Sequence, residues 1–260
     1  MQSILTFPYV LWIILFTILP VGFLFFYAFY DKGFSLEYIK EAFSSIHLMA
    51  LWNSIKLSFW ATFVCLLISY PLGLALRSMK FKRKSILIMM VVAPMWMNYV
   101  LRIMAWQLIL SQNGFLNQFL RLIHLPTADI GNSATAILIG MVYDYLPFML
   151  LPVYNSIAEI QNDVIEAAYD LGANKFTVLK KIMIPLSMPG IISGIIMVFV
   201  PALTTFAISD MLGGGKVMLI GNVIEQEFIS SLNWNLGSAL SLILMIFVIP
   251  GLFSKGDSKL

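Results

Sequence analysis

Six stretches of this sequence, near residues 7–30, 54–76, 86–110, 134–155, 188–210 and 237–253, run through apolar side chains with scarcely a charge. A bilayer core of roughly 30 Å takes about 20 residues of helix at 1.5 Å each, and only helices or closed barrels satisfy their backbone groups in lipid. The pattern predicts an all-α, polytopic bundle of about six transmembrane helices, forming one membrane domain over 1–260. Five or seven spans stay open, because 211–236 is apolar enough to be re-entrant or interfacial. Its Gly213-Gly214-Gly215 start argues against a plain helix there.

Composition narrows the function. Hydrophobic residues make up 60% of the chain and charged ones 11%, against about 25% in soluble domains, which excludes a soluble enzyme. The net charge of +3 comes from short basic clusters between apolar runs, so no nucleic-acid surface is expected. Cys65 is the one cysteine; it cannot form an intrachain disulfide and reads as a small buried hydrophobe. The first run has no basic leader and no small-x-small site before Asp31, so it is expected to stay attached as a span.

Lys and Arg gather on cytoplasmic loops of membrane proteins. If both termini lie inside, the inner loops hold ten basic residues (Arg77, Lys80, Lys82, Arg83, Lys84, Lys175, Lys180, Lys181, Lys255 and Lys259) and the outer loops five (Lys32, Lys40, Lys56, Arg121 and Lys216), with Arg102 inside the third span. The loop 156–187 is then cytoplasmic. Within the spans, Pro20, Pro71, Pro94, Pro147, Pro201 and Pro250 each remove a backbone donor and invite a kink, a feature of moving bundles and of membrane helices generally. Gly190 and Gly194 form a small-xxx-small pair that admits a second helix, from this chain or a partner.

The loop 156–187 is long and amphipathic. Its pattern predicts a helix over about 158–171 with an acidic stripe of Glu159, Asp163, Glu166 and Asp170. Gly172 would be a left-handed C-cap, and Asn174 would cap a second helix whose apolar face holds Phe176, Leu179, Ile182 and Met183. Pro185 would end or bend it at the membrane. The series Glu166-Ala167-Ala168, Gly172 and Ile182-Met183-Ile184-Pro185 resembles the EAA loop of ABC importer permeases of type I fold, with Ile184 where the family usually has leucine.

That resemblance implies that 156–187 couples the bundle to a separate ATPase, with Glu166, Ala167, Ala168, Gly172, Ile182 and Pro185 in the coupling role. It also implies two ABC ATPase subunits, a second homologous permease subunit, an external substrate-binding protein and residence in a bacterial inner membrane. The paired alanines keep one helix face slim enough for a groove, and Glu166 offers a carboxylate to a donor there. No Gly-x-x-x-x-Gly-Lys-Ser/Thr exists, since Gly213-Gly214-Gly215-Lys216 runs into Val217, so ATP is expected on the partner and no cofactor on this chain. His47 and His124 form no ligand cluster, and no metal is expected.

A second resemblance concerns substrate. Ser209-Asp210, Gly213-Gly214-Gly215-Lys216, Ile220-Gly221-Asn222, Ile224, Phe228, Asn233-Trp234 and Gly237, with Tyr99 to Asn117, are similar to the first permease subunit of spermidine/putrescine importers. Asn235 stands where those have proline and Glu227 where glutamine is commoner. A polycation favours separated carboxylates and aromatic faces, which nominates Asp144, Asp210, Tyr143, Trp96, Tyr99, Trp106 and Arg102 for the path. Each has a plainer reading: Arg102 pairing with Asp144 to join two helices, Asp210 as a solvated helix end, the aromatics as packing or interfacial anchors. Other small organic cations or inorganic ions are alternative cargoes. An ion-coupled secondary transporter would show a repeated pair of halves, which is not evident here, and a membrane scaffold would not need the loop.

Overall fold

The computed structural model describes residues 2–31, 33–128 and 130–253, with Lys32, Lys255 and Lys259 of the orientation argument, and the side chain of Pro250, outside the described part. Apart from an antiparallel contact between Tyr30–Asp31 and Gly33–Phe34, the regular structure is helical. Among the described residues, three helices are long and apolar enough to cross a membrane: Pro8–Phe29, Ser45–Ser78 and Ala134–Glu159. Two further pairs of helices reach that length and hydropathy only when taken together, each bent at a short break: Lys82–Trp96 with Tyr99–Leu122 at 99° and Lys175–Leu186 with Met188–Thr204 at 64°. Trp234–Phe253, the last helix, completes the six segments. No membrane-spanning run fills 211–236, which instead holds a glycine turn and the ten-residue helix Ile220–Ile229.

Ser45–Ser78, Ala134–Glu159 and Met188–Thr204 pack as a central trio. Their buried faces share Ala61, Cys65, Met141, Met149, Val153, Ile157 and Val198, so Cys65 is the buried small residue its sequence context predicts. Gly190 and Gly194 serve this trio, not a partner. A Cβ on Gly190 would strike the Pro152 carbonyl and Ser156 Cβ, and one on Gly194 would lie 2.6 Å from Met149 Sδ. The close approach also lets the Gly190 amide donate to Ser156 Oγ at 3.2 Å. Gly190→Leu should therefore force the helices apart, at about 1–3 kcal/mol of overpacking, and lower the amount of folded protein recovered from membranes relative to Gly190→Ala.

The second half of the first helix packs on the bundle. Leu24, Ala28 and Phe29 pack against Leu236, Ala239 and Leu240 of the last helix, while Tyr9, Trp12 and Phe16 stay exposed on the isolated chain. Two prolines are absorbed in one way. A π-turn over Ile14–Ile18 ends with the Leu19 amide on the Ile14 carbonyl just before Pro20, and a π-turn over Leu179–Met183 ends with the Ile184 amide on the Leu179 carbonyl just before Pro185. The wider turn spares the carbonyl that the proline ring would clash with. Pro71, Pro147 and Pro201 sit inside helices.

Two expected spans are not single helices. The run 86–110 breaks after Val92 into a short 3₁₀ turn, Ala93–Trp96, and Tyr99–Leu110 starts afresh. Pro94 lacks a donor, Met97 turns extended, and Asn98 Oδ1 accepts from the Val100 and Leu101 amides at 2.9 and 3.3 Å. The run 188–210 stops at Thr204, so Asp210 belongs to the separate helix Ala207–Gly213.

Candidate functional site

The loop after Ala134–Glu159 is built as two helices joined by a glycine turn, as its sequence predicts, but the first begins later. Ile160 and Gln161 are extended, and Asn162–Asp170 forms the first helix. Ile160 is buried against the bundle and holds the chain down there, so Glu159 stays on the membrane helix and leaves the acidic stripe. Gly172 has φ +82, with its amide on the Tyr169 carbonyl at 2.9 Å and the Ala173 amide on the Ala168 carbonyl at 3.0 Å. Asn174 Oδ1 accepts from the Thr177 amide at 2.8 Å, which starts Lys175–Val178. Both capping residues read from the sequence hold these places.

No residue of Asn162–Asp170 is buried, and Glu166 and Ala167 face outward. Beside them Val164 and Tyr169 are exposed, Leu171 is 90% exposed and Phe176 71%. Phe176 therefore does not join the inward apolar face expected of the second helix, whereas Leu179, Ile182 and Met183 are half-buried and Met183 reaches the central core. The bend into the membrane falls at Ser187, just after Pro185. Ser187 Oγ lies 2.6 Å from the Met183 carbonyl and 3.2 Å from the Tyr70 hydroxyl. Leu171 and Phe176 thus leave an apolar rim exposed beside this slim helix.

Within the membrane segments the structure joins part of the nominated set. Arg102 Nε lies 2.8 Å from Asp144 Oδ1, with the two side chains only 11% and 4% exposed. The contact is a charge pair without hydrogen-bond alignment, and Asp144 Oδ2 finds no donor among the described residues. Arg102 Nη1 also donates to the Pro94 carbonyl at 3.0 Å, and its guanidinium lies 5.7 Å from the Tyr99 ring. The same arginine thus ties the broken third segment to the Ala134–Glu159 helix. Trp106 meets Tyr143 edge-on at 5.2 Å between ring centres.

Trp96 and Asp210 lie elsewhere. Trp96 is 76% exposed on the 3₁₀ turn. Asp210 is exposed and, with Ser209, Asn222 and Glu225, lines a cavity of about 240 Å³. Asn222 closes that corner: Ser209 Oγ bonds to its Oδ1, and its Nδ2 donates to the Phe206 carbonyl at 3.1 Å. Asn222 enters the sequence reading only through the resemblance, and Asn98 not at all, although Asn98 shortly after Pro94 is a legible helix start.

Residues 66–254 match the family described as binding-protein-dependent transport system inner membrane component. Among curated relatives, the spermidine/putrescine transport system permease protein PotB of Haemophilus influenzae is 40% identical over 85% of this chain and 78% of its own. The Escherichia coli protein of the same name is 36% identical over 90% of this chain and 89% of its own. Among solved structures, a chain of a bacterial ABC transporter that imports alginate superposes with a TM-score of 0.83 over 99% of this chain and 96% of that one, at 17% identity. A chain of the MetNI methionine ABC transporter in an inward-facing conformation gives 0.57 over 80% and 92%, also at 17% identity. With the family match covering most of its length and the bundle reproduced in ABC transporter chains, this protein belongs to the binding-protein-dependent transport system inner membrane components, the permease subunits of ABC importers.

Proposed function

We propose that the protein is one of two permease subunits of a polyamine importer, taking spermidine or putrescine from an external binding protein and driven by two ATPase subunits that bind and hydrolyse the ATP. The likeness to two PotB proteins at 36–40% identity supports the cargo. The observation that carries the coupling role is the outward-facing helix Asn162–Asp170, bare of burial and ending on a left-handed glycine. In this reading Glu166, Ala167 and Ala168 seat in the ATPase, Gly172 shapes the turn, and Ile182 and Pro185 carry its movement toward the bend at Ser187. Both termini and 156–187 lie in the cytoplasm, as the distribution of basic residues favours.

Of the residues nominated for the path, Asp210 is the carboxylate that meets water, beside Glu225. Trp96, Tyr99, Trp106 and Tyr143 supply aromatic faces, and Arg102 with Asp144 hold the path's wall together. The test is uptake of labelled spermidine into liposomes holding the assembled complex, with binding protein outside and ATP within. Uptake that needs ATP and the ATPase, and is competed by putrescine but not by inorganic cations, is expected. Uptake driven by an ion gradient without ATPase would overturn the importer mechanism; uptake indifferent to polyamines would overturn the cargo.

A further inference from the structure

The Ala134–Glu159 helix ends without intrahelical partners for its last carbonyls, as every helix does. Here one side chain from another helix supplies them. Arg77, in the last turn of Ser45–Ser78, donates through Nη1 to the Ile157 carbonyl at 3.1 Å and through Nη2 to the Ile160 carbonyl at 2.6 Å. Nη2 also donates to Asn162 Oδ1 at 2.8 Å, and Asn162 is the first residue of the outward-facing helix. A single guanidinium therefore joins the ends of two membrane helices to the start of Asn162–Asp170.

We propose that Arg77 is a positioning residue for energy coupling: it clamps the lead-in of the coupling helix to the bundle, so that a displacement of that helix reaches Ser45–Ser78 and Ala134–Glu159 together. The proposal rests on the docking role given above to Asn162–Asp170. Between that helix and Ala134–Glu159 the chain offers only Ile160 and Gln161, both extended. A two-residue extended link transmits tilt poorly. The planar fork stiffens it by fixing acceptors on both sides of the link, and its charge suits the negative end of the Ala134–Glu159 dipole. Lysine offers a point charge in place of a fork and cannot hold the three acceptors in that geometry. The neighbours on the same side are Lys84, which lies 5.6 Å over the Tyr154 ring, and Glu159, both lining the adjoining cleft of about 400 Å³.

The experiment compares spermidine taken up per ATP hydrolysed by the complete complex in liposomes. Arg77→Gln is expected to assemble with the ATPase and hydrolyse ATP within about twofold of the parent, while uptake per ATP falls about tenfold, the size of effect typical of residues that carry coupling. Arg77→Lys should recover only part of it. Asn162→Ala, which removes one acceptor and leaves Arg77 in place, should lower the ratio about threefold. An unchanged ratio in Arg77→Gln overturns the proposal; should that variant fail to reach the membrane, an unchanged ratio in Asn162→Ala overturns it instead. A cysteine placed by Ala167→Cys, tested for cross-linking to the ATPase, separates the two layers, since native Cys65 is buried. No cross-link removes the docking reading itself, whereas a cross-link with an unchanged ratio removes only the role of Arg77.

Discussion

Asp144→Ala is expected to deplete the protein from the membrane fraction, because it leaves the Arg102 guanidinium buried without its carboxylate. Breaking one side of a buried pair costs about 3–5 kcal/mol, a large part of the stability of a typical domain. Arg102→Ala should do comparable damage and also remove one of the two donors to the Pro94 carbonyl at the break, leaving the Met97 amide. The informative variant is the double one. Arg102→Met with Asp144→Leu removes both charges and fills similar volume, so abundance should return to near the parent level. If the pair only holds the broken third segment on Ala134–Glu159, ATP-dependent uptake returns with it. Restored abundance with uptake still absent would instead give Asp144 a direct part in moving the cation, through the oxygen that finds no donor among the described residues.

Gly172→Val is expected to spare the bundle and weaken coupling by about tenfold. The residue sits at φ +82 with nothing within 4 Å of where a Cβ would be, so the objection to a side chain is conformational and not steric crowding. A left-handed L-residue costs roughly 1–2 kcal/mol and a β-branched one more, which relaxes the turn and re-aims Asn162–Asp170. Since each 1.4 kcal/mol is about tenfold in an equilibrium, co-purification with the ATPase should fall by about an order of magnitude and uptake with it. Gly172→Asn, which tolerates that region, should keep much of both. Equal ATPase recovery with valine and glycine would show that the turn's geometry does not set the docking.

Much of the arrangement was legible because lipid leaves a chain few choices. An apolar run of spanning length must close its hydrogen bonds internally, so Phe7 to Tyr30 or Ala134 to Asn155 could be read as helix without any knowledge of neighbours. The glycine cap at Gly172 and the Asn174 cap were equally local: each depends on a few consecutive residues and the conformations they allow. The breaks were less legible. Pro94 signalled a disturbance, but whether it bends, kinks or ends a helix depends on what holds the chain beyond it, and that includes Arg102, which donates to the Pro94 carbonyl and pairs with Asp144 on another helix. The 158–171 helix was read too long for the same reason. Periodicity continued through Ile160, while burial of that side chain against the bundle pulled the backbone out straight.

By itself, then, the order of residues determined an all-helical membrane protein, the apolar runs from which its helices are built, and a capped, slim, acidic helix on the loop 156–187, since hydrophobic length and capping chemistry act over neighbouring residues. Only the tertiary structure decided that Gly190 and Gly194 seat a helix of this same chain, that Arg102 meets Asp144 while Asp210 stands apart and exposed, and that Arg77 reaches across to Ile157, Ile160 and Asn162. Those contacts join residues up to some eighty positions apart, as from Arg77 to Asn162. Which donor meets which acceptor at such range is set by helix packing, and packing is a property of the whole bundle, beyond the reach of any local pattern.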